Sequence, residues 1–305
     1  MEIAFSDPIY LWGLVAVPLI ILVHFISLRY SRARAFQFAN FIALSRVSKG
    51  VGLSSNVVVL ILRILIITLI ILAIAGMTLV YIGKSSSVDY VLGIDVSSSM
   101  LTEDLNPNRV EAVKAASVIF IDKLSEGSDV ALLSFSGVSF VEKGLSSEKE
   151  KLKEVIRFIA PKAVGGTDIS NAIVTGVNVL IVSEKPKVLI LLTDGRSNVG
   201  VPDSIAIDYA NEKGVMVHTI GIGLRGIEGG NLGIDEEALK NIADSTGGKY
   251  AFAGSNEELV EIYSSLAETG EGKRVIDFSS VFIILVLVLL LVDWVLINTI
   301  YSRIP

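Results

Sequence analysis

The 305-residue sequence contains no cysteine. Disulfides, thiolate metal sites and cysteine nucleophiles are therefore excluded, redox compartment cannot be read from cysteine usage, and any metal must be held by oxygen or histidine. A basic face is missing as well. Lys and Arg total 26 against 32 Asp and Glu, a net charge of -6, and the acidic residues gather in the middle of the chain. Nucleic acid is excluded as a partner on that ground. There is no Gly-x-x-x-x-Gly-Lys-Ser/Thr loop, so the chain has no nucleotide-hydrolysing P-loop, and no Gly-x-Ser-x-Gly elbow, so a serine hydrolase is unsupported. No internal repeat or low-complexity tract interrupts the sequence.

What the chain has in excess is apolar surface: 51% of its residues are hydrophobic and its mean hydropathy is +0.65. Crossing a bilayer as a helix takes about 20 mainly apolar residues. Three stretches qualify, Ile9 to Leu28, Val57 to Ile82 and Val275 to Asn298. A cleaved signal peptide is a poor reading of the first, because Glu2 and Asp7 precede it and the basic loop follows it. Arg29, Arg32, Arg34, Arg46 and Lys49 lie between the first two spans with no acidic residue, and short Lys/Arg-rich loops stay cytoplasmic. The expected order is a first transmembrane helix in residues 1–28, a cytoplasmic loop 29–56, a second helix 57–82, an extracytoplasmic domain 86–268, a third helix 275–298 and a cytoplasmic tail 299–305. His24, Arg63 and Asp293 interrupt the spans, all toward the cytoplasmic side. A lone charge in hydrocarbon costs at least about 2.5 kcal/mol, so Arg63 and Asp293 are the available pair, with snorkelling of Arg63 to the headgroups as the alternative.

From Val88 onward, short apolar runs alternate with amphipathic stretches about five times, the pattern of an α/β domain: a Rossmann-like, doubly wound, mostly parallel sheet with helices on both faces. Strands are expected at Val88 to Asp95, Asp129 to Phe135, Ser139 to Glu142, Lys187 to Thr193, Gly214 to Gly221 and Lys249 to Phe252. Helices are expected after Asn108, from Ser147 to Ile159, from Asp168 to Val182, and over 203–213, 235–245 and 255–267. Ligands in such sheets bind beyond the carboxyl ends of the strands. Asp95 ends one strand and is followed by the hydroxyls of Ser97 and Ser99. Asp194 ends another in Leu-Leu-Thr-Asp-Gly, and Gly-Gly-Thr167-Asp168 opens a helix between them. Carboxylates and hydroxyls are hard oxygen donors, suited to magnesium, calcium or manganese rather than zinc or copper. Ser97 and Ser99, two apart in an extended loop, can turn toward the same ion.

Asp-x-Ser-x-Ser, a later Gly-Thr-Asp, and Thr-Asp-Gly at a strand end resemble, in order, the metal-ion-dependent adhesion site of von Willebrand factor A (vWA) domains. The resemblance covers roughly Val88 to Leu266 and includes Asn-Pro-Asn-Arg-Val-Glu-Ala-Val-Lys and Val-His-Thr-Ile-Gly-Ile-Gly. It implies that Ser97, Ser99 and Thr167 coordinate a divalent cation, Mg2+ before Mn2+ or Ca2+, while Asp95 and Asp194 hold metal-bound waters. One coordination position is then left for a carboxylate from a partner protein. Asp168 is read first as a helix cap and second as a neighbour of the metal shell. Phe5-Ser6-Asp7-Pro8-Ile9-Tyr10-Leu11-Trp12 with Pro18-Leu19 resembles the opening of the Bat aerotolerance-type membrane proteins, and the Phe36 to Leu44 stretch resembles their cytoplasmic link by pattern. In that family the implied partners are sister vWA proteins and a MoxR-type AAA+ ATPase, in assembly or stress tolerance, with no enzymatic activity. An adhesion receptor for an extracellular carboxylate ligand is the alternative, and a channel or transporter subunit ranks last.

Three chemical readings compete less well. A phosphoryl-transfer aspartate at Asp95 needs a second acid where Ser97 stands. Gly221 to Gly226 matches a dinucleotide fingerprint, yet no helix is expected until about Asp235 to receive the pyrophosphate. His218, inside a strand, is read as a satisfied core histidine rather than a base. The glycine-rich loop from Leu224 to Gly233 leaves the same sheet edge as the metal residues and either shapes partner choice or merely connects.

Overall fold

The computed structural model describes residues 2–35, 54–85, 87–161, 165–194, 199–223 and 234–300. The chain forms two compact units, one of residues 1–80 with 275–305 and one of residues 81–274.

The first unit contains three helices long and apolar enough to cross a membrane, over Pro8–Ile26, Val57–Ile74 and Ser279–Thr299. Strand β1 (Glu2–Phe5) leads into a 3-10 turn (Pro8–Val15) and helix α1 (Ala16–Ala35). Arg29, Arg32 and Arg34 thus continue α1 rather than opening a loop, as basic residues do where a spanning helix emerges into the headgroups. Arg46, Lys49 and the Phe36 to Leu44 stretch lie outside the described residues. Helix α2 (Ser54–Ile74) ends earlier than the hydropathy predicts, and strand β2 (Met77–Lys84) takes up the rest of that apolar run. Two local causes act. Gly76 adopts φ +64, a left-handed stop that a Cβ disfavours, and Thr78, Val80, Tyr81 and Ile82 are the β-branched and aromatic residues that suit a strand. β2 pairs antiparallel with β1, Glu2 opposite Val80 and Phe5 opposite Met77. The third span is likewise trimmed at its start, where Val275 to Asp277 belong to strand β9 (Glu271–Asp277) and helix α9 begins at Ser279 and runs to Val295. β1, β2 and β9 make one three-stranded sheet in that order.

α2 and α9 pack through Ile66, Leu69 and Val286, with Leu62, Phe282 and Leu289 alongside. Arg63 Nε approaches Asp293 Oδ2 to 4.0 Å, so the two intramembrane charges face each other. Asp293→Ala is expected to lower the thermal stability of the full-length protein in detergent by about 1 kcal/mol, the scale of polar pairs between membrane helices. Adding Arg63→Ala should restore part of it. Purely additive losses would remove the pairing.

The second unit is a six-stranded sheet in the order β5-β4-β3-β6-β7-β8. Its strands are β3 (Asp89–Asp95), β4 (Val130–Phe135), β5 (Ser139–Ser146), β6 (Lys187–Thr193), β7 (Val215–Ile222) and β8 (Tyr250–Ala253). All pairs are parallel except β4 with edge strand β5. The helices are α3 (Arg109–Lys123), α4 (Lys149–Phe158), α5 (Ile169–Leu180), α6 (Asp203–Glu212), α7 (Glu236–Thr246) and α8 (Asn256–Thr269). Alternate strand residues serve opposite faces. Tyr90, Leu92, Ile94, Val188, Ile190 and Leu192 join one core with α3, α4 and α8, while Val91, Leu189 and Leu191 join the other with α5, α6 and α7. This is the double winding that the apolar runs predict.

Local hydrogen bonds fix where most helices start. Asn108, Asp168, Asp235 and Ser255 each accept a backbone N–H three residues on, which satisfies one of the free donors of a first turn. Ser147 does not act as the predicted cap; α4 begins at Lys149 after Glu148, whose N–H donates to Ser146 Oγ.

Candidate metal site

Strand order places the site. β3 connects to β4 on one side and lies against β6 on the other, so the winding reverses between β3 and β6, the position at which open α/β sheets bind ligands. The register sets Ile94 beside Leu192, which brings Asp95, at the end of β3, next to Thr193 and Asp194.

Asp95 is fully buried and both its oxygens are engaged. Oδ1 accepts Ser97 N–H at 2.9 Å and Oδ2 accepts Thr193 Oγ1–H at 2.7 Å. Burial pushes its carboxyl up to about 6, against the hydrogen bonds from Ser97 and Thr193, with the nearby charge of Asp194 adding to the rise. Ser97 is extended (φ -64, ψ 164) and precedes a 3-10 turn over Ser98–Leu101. Ser97 Oγ and Ser99 Oγ are 3.0 Å apart, and Ser99 Oγ donates to Asp194 Oδ1 at 2.8 Å.

Thr167 is buried at the turn into α5. Asp168 N–H, the next donor along, bonds Ser136 O at 2.8 Å, and Val96 N–H bonds Phe135 O at 2.8 Å. The Thr167 turn, the end of β4 and the Asp95 loop thus meet in one layer of loops. The four residues Asp95, Ser97, Ser99 and Asp194 sit in a connected hydrogen-bonded group, and Thr167 is brought to the same sheet edge through the end of β4. Asp168 caps α5, the first of its two expected roles.

Three residues of this neighbourhood escape the sequence motifs. Arg109 donates from Nη1 to Asp194 Oδ2 at 2.6 Å and grips Asp104 with Nε at 2.8 Å and Nη2 at 2.6 Å. The guanidinium beside Asp104 holds that carboxyl below the usual range. Ser136 Oγ, at the end of β4, is buried without a hydrogen-bond partner. The only sequence signals for these were the Asn-Pro-Asn-Arg phrase and a Phe-Ser pair after a buried strand, and neither specifies a contact.

The residues fit a small, hard divalent cation. Adjacent oxygens in an octahedral shell of radius 2.0–2.1 Å stand about 2.9 Å apart, and the two serine oxygens have nearly that spacing. Ser99 gives its proton to Asp194 and keeps lone pairs for a cation, and the orphaned Ser136 hydroxyl is available to an ion-bound water. Among the described residues no three histidines, cysteines or carboxylates converge, so a nitrogen- or sulfur-rich centre is not built there. His218 is a buried acceptor for Lys249 N–H at 2.9 Å, its ring pushed down to about 4 by burial and by the Lys249 charge. That is the satisfied core histidine, not a base. Residues 224–233, including half of the dinucleotide-like phrase and the glycine-rich loop, lie outside the described residues.

The doubly wound sheet with this loop set at its switch point defines the class, and comparison with known families agrees. The model for the von Willebrand factor type A domain matches residues 89–265, so the chain belongs to the vWA family. Residues 1–77 match the model described as aerotolerance regulator N-terminal. Relatives include the UPF0353 proteins of Nocardia farcinica, 28% identical over 294 residues and 87% of both chains, and of Mycolicibacterium gilvum, 28% identical over 279 residues, 85% of this chain and 83% of that one. Among solved structures, BatB from Bacteroides thetaiotaomicron superposes with a TM-score of 0.53 at 25% identity, over 60% of this chain and 98% of that one. Proximal thread matrix protein 1 of the mussel byssus shares the fold, with a TM-score of 0.54 at 23% identity over 65% of this chain and 50% of that one. The protein is thus a vWA-domain protein with three helices long and apolar enough to cross a membrane, and its N-terminal quarter is similar to the aerotolerance regulators.

Proposed function

We propose that this protein binds a divalent cation through Ser97, Ser99 and Thr167, with Asp95 and Asp194 holding ion-bound waters, and uses the cation to grip a carboxylate of a partner protein. The observation that carries the reading is the bonded run Ser97, Ser99, Asp194 at the switch point, with its two hydroxyl oxygens 3.0 Å apart beside buried Asp95. The mussel byssus protein is described with zinc in its metal-ion-dependent adhesion site; here the hydroxyl donor set favours Mg2+ over zinc. When bound, the ion supplies the positive charge that draws the partner's carboxylate. The chain's own residues hold the hydroxyl oxygens at spacing and keep the anion near neutral pH. The role in this reading is binding.

The positive-inside rule sets the vWA unit outside the membrane and residues 29–56 with the tail inside. Sister vWA proteins can then meet the metal face, whereas a MoxR-type ATPase reaches only the cytoplasmic parts. Because the chain has no cysteine, single introduced cysteines report topology directly. An impermeant maleimide should label Ser265→Cys in intact cells and Ser48→Cys only after permeabilisation. The reverse pattern would put the metal face in the cytoplasm. For the function itself, in-cell crosslinking should capture a partner that is lost with Ser97→Ala/Ser99→Ala or with chelator. Capture indifferent to both would overturn the proposal.

A further inference from the structure

Arg109 stands where a second cation of the site would stand. Its Nη1 takes Asp194 Oδ2, the oxygen that Ser99 leaves unused. Its other edge clasps Asp104 in a two-point, charge-assisted fork. All three side chains are largely shielded, 13% exposed for Arg109, 8% for Asp104 and none for Asp194. The space for the guanidinium is provided by Gly223 at the end of β7, where a Cβ would come within 3.1 Å of Arg109 Nη2 and the backbone sits at φ +142. The same residue closes the loop behind the metal residues. Arg109 N–H donates to Thr102 O, while Thr102 N–H and Oγ1–H both donate to Ser99 O. Ser99 and Arg109 are therefore tied together twice, through Asp194 and through Thr102.

We infer that Arg109 is a built-in cation of the site that shares Asp194 with the divalent ion and weakens its binding, so that ion occupancy is felt by Asp104 and the segment from Ser99 to Arg109. This rests on the reading of Asp95, Ser97, Ser99 and Asp194 as a divalent-cation site. Asp95, Asp104 and Asp194 carry three negative charges when ionised, and Arg109 returns one positive charge among them. A divalent ion entering beside Ser99 meets an Asp194 already neutralised by an adjacent guanidinium, and like charges in a shielded site repel strongly. A purely structural Arg109, holding Asp194 in position, makes the opposite prediction: its loss would loosen the ion.

The sign decides between them. Titration of the full-length protein in detergent at low ionic strength with Mn2+, reading the free aquo-ion by electron paramagnetic resonance, gives the affinity without any partner. Arg109→Gln is expected to tighten Mn2+ binding about tenfold, Arg109→Lys to stay near wild type because the charge remains, and Asp104→Asn to weaken binding because Arg109 then has only Asp194 to neutralise. Arg109→Gln that binds Mn2+ as wild type does, or more weakly, overturns the inference. Metal-free melting run alongside shows whether each variant is folded, and should Arg109→Gln fail to fold, unchanged or tighter binding by Asp104→Asn overturns it equally. Absence of saturable Mn2+ binding in wild type is a distinct result that removes the site reading itself.

Discussion

Asp95→Asn is expected to abolish divalent-cation binding and, in the same protein, to raise the stability of the metal-free vWA unit by about 1–3 kcal/mol at pH 7.5. The opposite signs follow from the cost of the buried charge. The Asp95 carboxyl is pushed up to about 6, above an ordinary 3.8, chiefly by burial. A group whose pKa is raised by folding contributes stability below its unfolded pKa, and that contribution is lost as pH rises through the folded value. Metal-free wild type is therefore expected to lose stability between about pH 4 and pH 6, and the asparagine variant not to. Asparagine can keep both partners, accepting from Ser97 N–H and donating to Thr193 Oγ1, so the change removes charge with little loss of packing. Magnesium should reverse the ranking, since at about a thousandfold excess over Kd it stabilises only wild type, by about 4.1 kcal/mol. Ion affinity should also fall as pH drops through about 6, where Asp95 gains its proton. An asparagine variant less stable than metal-free wild type at pH 7.5, by thermal melting of the full-length protein, would mean that Asp95 is built in for structure.

Phe120→Ala is expected to cost about 3–5 kcal/mol in the vWA unit, the range for a truncated buried aromatic. Phe120 is fully buried on α3 and lies edge-on to Tyr90 of β3, with ring centroids 5.2 Å apart, and tilted against Tyr263 of α8 at 5.4 Å. Tyr263 is itself fully buried, its hydroxyl 3.4 Å from Ser117 Oγ. These rings fix α3, whose first residue is Arg109, against β3, whose last residue is Asp95. Their loss should therefore lower the melting temperature. A melting temperature within a degree of wild type would show that the aromatic run does not anchor α3.

Much of the second unit is legible in the sequence because its signals are local. β3 and β6 are mainly apolar runs, with Asp95 as the last residue of one and Asp194 just after the other, and the caps at Asn108, Asp168, Asp235 and Ser255 each close a bond within four residues. Even His218 is legible as a core residue from its place inside a strand. Hydropathy alone does not divide an apolar run that is helical at one end and extended at the other. Val57 to Ile82 therefore reads as one span, although Gly76 ends the helix and β2 follows; the conformation of one glycine and pairing with β1, more than seventy residues away in the chain, decide the matter.

At the site, the three motifs are visible because two follow strand ends and the third opens a helix, and Asp95, Ser97, Ser99 and Asp194 are joined in the structure. Arg109, Asp104 and Ser136 are not visible, because what makes them part of the neighbourhood is contact across the fold. Arg109 meets a residue 85 positions away, and no local pattern encodes that pairing. What the fold adds to the motifs is a guanidinium on Asp194, one of the two carboxylates.

The most direct test of divalent binding at Asp95 is a calorimetric titration of the full-length protein with magnesium, manganese and calcium, on wild type and on Asp95→Ala. Saturable heat at one site in wild type, strongest for magnesium or manganese and absent from the variant, is the predicted result. Equal heats for the two proteins would contradict it.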